Sequence, residues 1–208
     1  MRLFTRSVLI ILFMSLGIVS YSMPTINPDK TSSDANYKEE VARGVLERLV
    51  EARGDKRKKR PTFHCSKKPE YVAAAIPHKA KIFLEEPAYD ICKSFGKDSL
   101  NALAALLAHE VTHYYEQHDW EAYFVKAFSN SQMSLAVEET KSAHAKDEIQ
   151  ADYLGGFLAH SAGFEVMGIM PKLLPKVYDA YGLPDELPGY PSLSEREQMA
   201  EESQAKLK

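Results

Sequence analysis

From Leu100 to Ala108 the chain carries no charge and no proline, and it runs directly into His109-Glu110-Val111-Thr112-His113. An apolar stretch of this length is expected to form a helix buried in a core. Residues four apart on a helix lie one turn above each other, so His109 and His113 project from one face. Two imidazoles entering a core are costly unless something binds them. A single metal ion satisfies both, and Glu110, next to the first ligand, can hold a metal-bound water as general base. The motif therefore assigns His109 and His113 as ligands of one zinc per chain and Glu110 as the base.

A catalytic zinc takes three protein ligands and keeps one position open. The longer pattern His-Glu-x-x-His-x-x-Gly-x-x-His fails here. Glu116 and Asp119 stand at its glycine and last histidine, and His118 is off by one. A glutamate from a downstream helix is the other common solution, and Asp147-Glu148-Ile149-Gln150-Ala151-Asp152 supplies it. Glu148 is the expected third ligand. Asp152, four residues on along the same helical face, is the expected acceptor for a ligand histidine's distal nitrogen, a contact that fixes tautomer and ring orientation. His144 competes from one turn earlier, but it sits among Lys141, Ser142 and Lys146, in what should be the more exposed start of that helix. Gly155-Gly156 costs helix stability and predicts close packing against a neighbour.

His109 to His113, Glu148 to Gly155 and His160-Ser161-Ala162-Gly163-Phe164 together resemble gluzincin metallopeptidases of the CAAX-prenyl-protease type. Oma- and BepA-like members of that group include soluble or periplasmic forms. Tyr190-Pro191-Ser192-Leu193-Ser194-Glu195-Arg196 is similar to the group's late His-Pro…Arg segment, with Tyr190 where histidine is usual. The resemblance implies a zincin-like metallopeptidase domain over residues 37–208, the third ligand at Glu148, and a protein or peptide substrate. Glu110 would take the proton of the metal-bound water and pass it to the leaving amine, while Tyr190 or Arg196 steadies the oxyanion. The alternative is a metal-containing envelope chaperone or binding protein without catalysis. Glu110 speaks against it, because a structural metal site has no need of a base.

Residues 1–22 read as a signal peptide. Arg2 and Arg6 precede an apolar run from Val8 to Val19, and Ser20-Tyr21-Ser22 offers small residues at the positions a signal peptidase reads. With no charge between Arg6 and Asp29, a retained signal anchor is the other reading. No later segment is long and apolar enough to span a bilayer, so the expectation is an exported protein, periplasmic or secreted, with a polar tail over 23–36. In an oxidising compartment Cys65 and Cys92, the two cysteines present, are expected to form a disulfide. A formal charge of -3 gives no reason to expect a nucleic-acid partner. The basic cluster Lys56-Arg57-Lys58-Lys59-Arg60 reads as a solvated loop suited to peripheral contact with an anionic membrane surface.

With 208 residues, 45% of them hydrophobic, the chain suits one α+β domain that is mainly α. Val41, Val45, Leu46, Leu49 and Val50 recur at helical spacing and predict a helix over 37–53. Tyr71 to Ile76 and Lys81 to Leu84, parted by Pro77, predict a small hairpin or sheet edge. Asp98 or Ser99 should cap the motif helix. Beyond an aromatic segment from Trp120 to Phe128, a long helix is expected from about Glu138 to Ala162, stopped by Gly163. Pro171 opens a shorter helix. Ser194-Glu195-Arg196-Glu197 has capping-box spacing and should start a charged one. His64, His78 and His160 read as structural or solvated.

Overall fold

The computed structural model describes residues 34–56, 58–67, 72–118, 133–186 and 190–207. The expected leader, most of the tail, Arg57 of the basic cluster and the aromatic segment lie outside the described residues. In chain order come α1 (Asp34–Arg53), β1 (Thr62–Ser66), β2 (Ala73–Ile76), β3 (Lys81–Glu85), α2 (Glu86–Lys93), α3 (Ser99–Glu116), α4 (Met133–Ser161), α5 (Met170–Tyr181) and α6 (Leu193–Ala205). This is the mainly helical α+β arrangement expected, with one small sheet. No helix among the described residues is long and apolar enough to cross a membrane.

α3 is the centre of the described domain. Every residue from Ala102 to Tyr115 is buried, as befits a helix apolar on all sides. α1, α4 and β2 pack against it, and its alanines at 102, 104, 105 and 108 allow those neighbours to come close. The sheet has the order β1-β3-β2. β2 and β3 form the expected hairpin, antiparallel, with Ala73 opposite Leu84 and Ala75 opposite Ile82. β1 pairs with β3 in parallel, Phe63 opposite Ile82 and Cys65 opposite Leu84. Phe63, Ile82 and Leu84 turn into the core. Among the described residues, the far edge of β2 has no strand beside it.

Helix ends follow local chemistry, with two departures from expectation. Asp98 precedes α3 but makes no side-chain cap bond, because a 3-10 turn over Gly96–Asp98 runs straight into the helix. The capping box of α6 is built two residues earlier than expected. Glu195 accepts from the Ser192 backbone N–H at 2.8 Å, and the Ser192 hydroxyl accepts from the Glu195 N–H at 3.3 Å. α4 ends as expected: Gly163 is left-handed at φ +79 and the Phe164 N–H bonds back to the Ala159 carbonyl.

The expected Cys65–Cys92 disulfide is not formed; both cysteines are free and buried. Each packs as a small apolar side chain on its own element, Cys65 on the inward face of β1 and Cys92 on the buried face of α2. Burial pushes the Cys65 thiol up to about 11, with the Glu86 and Glu39 carboxylates adding to it. Burial alone lifts Cys92 to about 12, against a small opposing backbone hydrogen bond.

Candidate metal centre

α3 and α4 together bring three ligand atoms to one point. The His109 and His113 Nε2 atoms are 2.9 Å apart. Glu148 Oε2 is 3.4 Å from His109 Nε2, and Glu148 Oε1 is 3.3 Å from His113 Nε2. A tetrahedral zinc with ligands about 2.0–2.1 Å away spans ligand-to-ligand edges of about 3.3 Å, so the triangle is already close to the size such an ion requires. All three residues are buried, and their ligand atoms lie within 4.8 Å of one another. Two imidazoles and a carboxylate make a donor set that suits zinc. His144 does not join this group; its Nε2 stands 3.9 Å from Glu148 Oε1, on a side chain 16% exposed.

Close packing of the two helices sets this geometry. A Cβ on Gly155 would meet the His109 backbone N at 3.1 Å and the Ala108 carbonyl carbon at 3.2 Å. Glycine therefore lets α4 rest directly on the turn of α3 that carries His109, which is the close packing the glycine pair predicts.

Behind the ligands, each histidine has a partner. His109 Nδ1 is 2.9 Å from Asp152 Oδ1, off the line of a well-aligned hydrogen bond. Asp152 is gripped in turn by Arg196, with Nε donating to Oδ2 at 2.7 Å and Nη2 to Oδ1 at 2.8 Å. His113 Nδ1 lies 3.0 Å from His118 Nδ1. With His113 Nδ1–H donating to His118, the His113 Nε2 lone pair is left for a metal. Sequence spacing missed this role, because His118 lies past the end of α3. Gln117 adopts a left-handed φ of +64 and the His118 N–H bonds back to the His113 carbonyl, folding the chain over the last turn. The sequence points to Arg196, but not as the partner of Asp152.

The charges favour a cation at this point. Burial opposes ionisation of Glu148, yet His113 and His109 overcome it and hold the carboxyl well below its usual range. Asp152 is likewise held low against burial, chiefly by Arg196. Burial disfavours charge on His109, but Asp152 and Glu148 prevail and raise it to about 10; the convergence point draws positive charge. Glu110 goes the other way. Burial lifts its pKa, resisted by His109 and His113, which is the direction a proton-accepting base requires.

His109, Glu110, His113 and Glu148 open into a cleft of about 430 Å³. Ala73, Ala74 and Ala75 of β2 and Leu173, Leu174 and Val177 of α5 form its walls. Tyr190 and Arg196 also line it; Tyr190 is 40% exposed, with its ring against His144.

The sequence profile of peptidase family M48 matches residues 36–147, more than half of the chain. The match contains the whole His109–His113 motif and stops one residue short of Glu148, whose place in the centre comes from the geometry above. No curated protein and no solved structure matches the chain. With that profile over most of its core and a His-His-Glu cluster of zinc dimensions between α3 and α4, the chain belongs to peptidase family M48, the zinc metallopeptidases.

Proposed function

We propose that this metallopeptidase is an exported endopeptidase that cleaves extended segments of protein chains, in envelope protein quality control, and that it stands nearest the Oma- and BepA-like members of its family. The observation that carries the reading is the position of Glu110, buried beside both ligand histidines in a cleft walled by β2, whose outer edge has no strand beside it among the described residues. An unpaired strand edge offers backbone donors and acceptors to an extended peptide. His109, His113 and Glu148 would hold the zinc, which when bound would supply an acidified water and a polarised carbonyl. Glu110 takes the water's proton and delivers it to the leaving amine. Burial, with the Glu148 charge adding, pushes the Tyr190 hydroxyl up to about 12, so it stays protonated and donates to the developing oxyanion. Arg196 has Nε and Nη2 committed to Asp152, and acts by steadying the Asp152–His109 pair. The apolar leader over residues 1–22 supports export, and the basic loop around Lys56–Arg60 suits contact with anionic lipid.

Casein digestion by the zinc-loaded protein, with and without a chelator, tests the reading. Glu110→Gln keeps one zinc per chain and loses proteolysis, by at least about 100-fold. Full activity in that variant, or chelator-resistant activity in the parent, rejects the mechanism.

A further inference from the structure

α4 presents another histidine to the cleft, and the reading above leaves it without a task. His144 lies one turn before Glu148, on the same helical face, and lines the cleft with Glu110 and Tyr190. Its Nε2 is 3.9 Å from Glu148 Oε1, too far for a hydrogen bond yet within about one atom's breadth of a ligand oxygen. Its ring meets the Tyr190 ring edge-on, with centroids 4.3 Å apart and planes at 85°, an arrangement that fixes the direction of the imidazole. Polar atoms on a half-buried ring beside a metal centre bear on whatever enters that space.

We propose that His144 is a substrate-contacting residue, whose Nε2–H donates a hydrogen bond to the carbonyl oxygen of the scissile peptide and holds it as that oxygen gains charge. Tyr190 orients the imidazole and supplies a second donor, so the two residues form a paired oxyanion site on α4 and the segment before α6. The proton stays on His144 throughout; no bond to it forms or breaks. The proposal rests on the endopeptidase reading, since it needs a peptide carbonyl at the metal.

Calorimetry on the zinc-loaded protein tests it without turnover. The probe is a phosphinic peptide, whose tetrahedral centre imitates the hydrated carbonyl. His144→Ala should lose about 100-fold in affinity for this probe, the scale of one oxyanion donor. His144→Gln, which restores an N–H, should recover about tenfold. Affinity for an uncleaved extended peptide, measured in the Glu110→Gln background, should change by less than about threefold, because a donor that acts on developing charge contributes little to ground-state binding. Metal content and the visible spectrum of the cobalt-substituted protein should stay those of the parent. Two results overturn the proposal: a His144→Ala protein that binds the phosphinic peptide within about threefold of the parent, or a changed cobalt spectrum or lost metal, which makes His144 a ligand. If the parent holds zinc but binds neither probe and leaves casein intact, the endopeptidase reading fails and takes this one with it. If the parent binds the phosphinic probe and His144→Ala binds it equally, only the role of His144 fails.

Discussion

The two ligand histidines are held from behind by unlike partners. His109 leans on Asp152, itself clamped by the Arg196 guanidinium, whereas His113 meets another imidazole, that of His118. Removing either partner loosens a ligand without deleting it, so His118→Ala and Asp152→Ala should each lower zinc affinity by about 10–100-fold in a competition titration. Loss of Arg196 should act differently, by leaving Asp152 ionised and buried without its cation. Arg196→Met is expected to cost about 3–5 kcal/mol in denaturant unfolding, and pairing it with Asp152→Asn should recover part of that. The cysteines give a test against the disulfide. With pKa values near 11 and 12, the thiolate fraction at pH 8 is about a thousandth or less. Both thiols should react with a disulfide reagent only after unfolding, without prior reduction. Much of this centre is legible in the sequence, because His109, Glu110, His113, Glu148 and Asp152 speak through helical spacing. His118 and the Arg196–Asp152 pair are not. One depends on a left-handed residue at Gln117, the other on two helices meeting across 44 residues.

Among the elements, glycines on two helices make a controlled contrast. Gly44 in α1 has nothing within 4 Å of where a Cβ would stand, while Gly155 in α4 lies hard against the His109 backbone. Gly44→Ala should therefore stabilise the protein by about 0.5–1 kcal/mol, as alanine does in an open helix position. Gly155→Ala should destabilise by about 1–3 kcal/mol through overpacking and weaken zinc binding as well, since any retreat of α4 carries Glu148 away from the histidines. Chemical denaturation and a zinc titration of both variants check this. Long elements with repeating apolar positions could be read from the sequence: α1, α3, α4 and the β2–β3 hairpin all lie within a few residues of expectation. β1 and α2 could not. Five residues with only Phe63 and Cys65 inward carry too little alternation, and the eight residues of α2 make barely two turns. The α6 box could be mistaken because Ser192 and Ser194 both precede a glutamate by three, and only Ser192 stands before the first turn.

At the scale of the whole molecule, a zinc held by His109, His113 and Glu148 would cross-link α3 and α4. Because the three ligands meet only when α3 and α4 pack together, such an ion favours the folded state. At about a thousand times its dissociation constant it adds about 4 kcal/mol, or about 10 °C in melting temperature for a domain of this size. A chelator should lower the transition by that order, and Glu110→Gln should respond like the parent because its ligands are untouched. The Arg196–Asp152 pair carries a different consequence, one of timing. A polypeptide is made from its N-terminus, so both histidines, Glu148 and Asp152 emerge before the helix that bears Arg196. Until that helix docks, the carboxylate behind His109 has no cation to fix it. A chain still being made thus lacks one support of its metal site until α6 has docked. A released chain truncated after Ser192 should retain zinc about 10–100-fold more weakly than the full-length chain, and equal retention by the two would remove this dependence from the account.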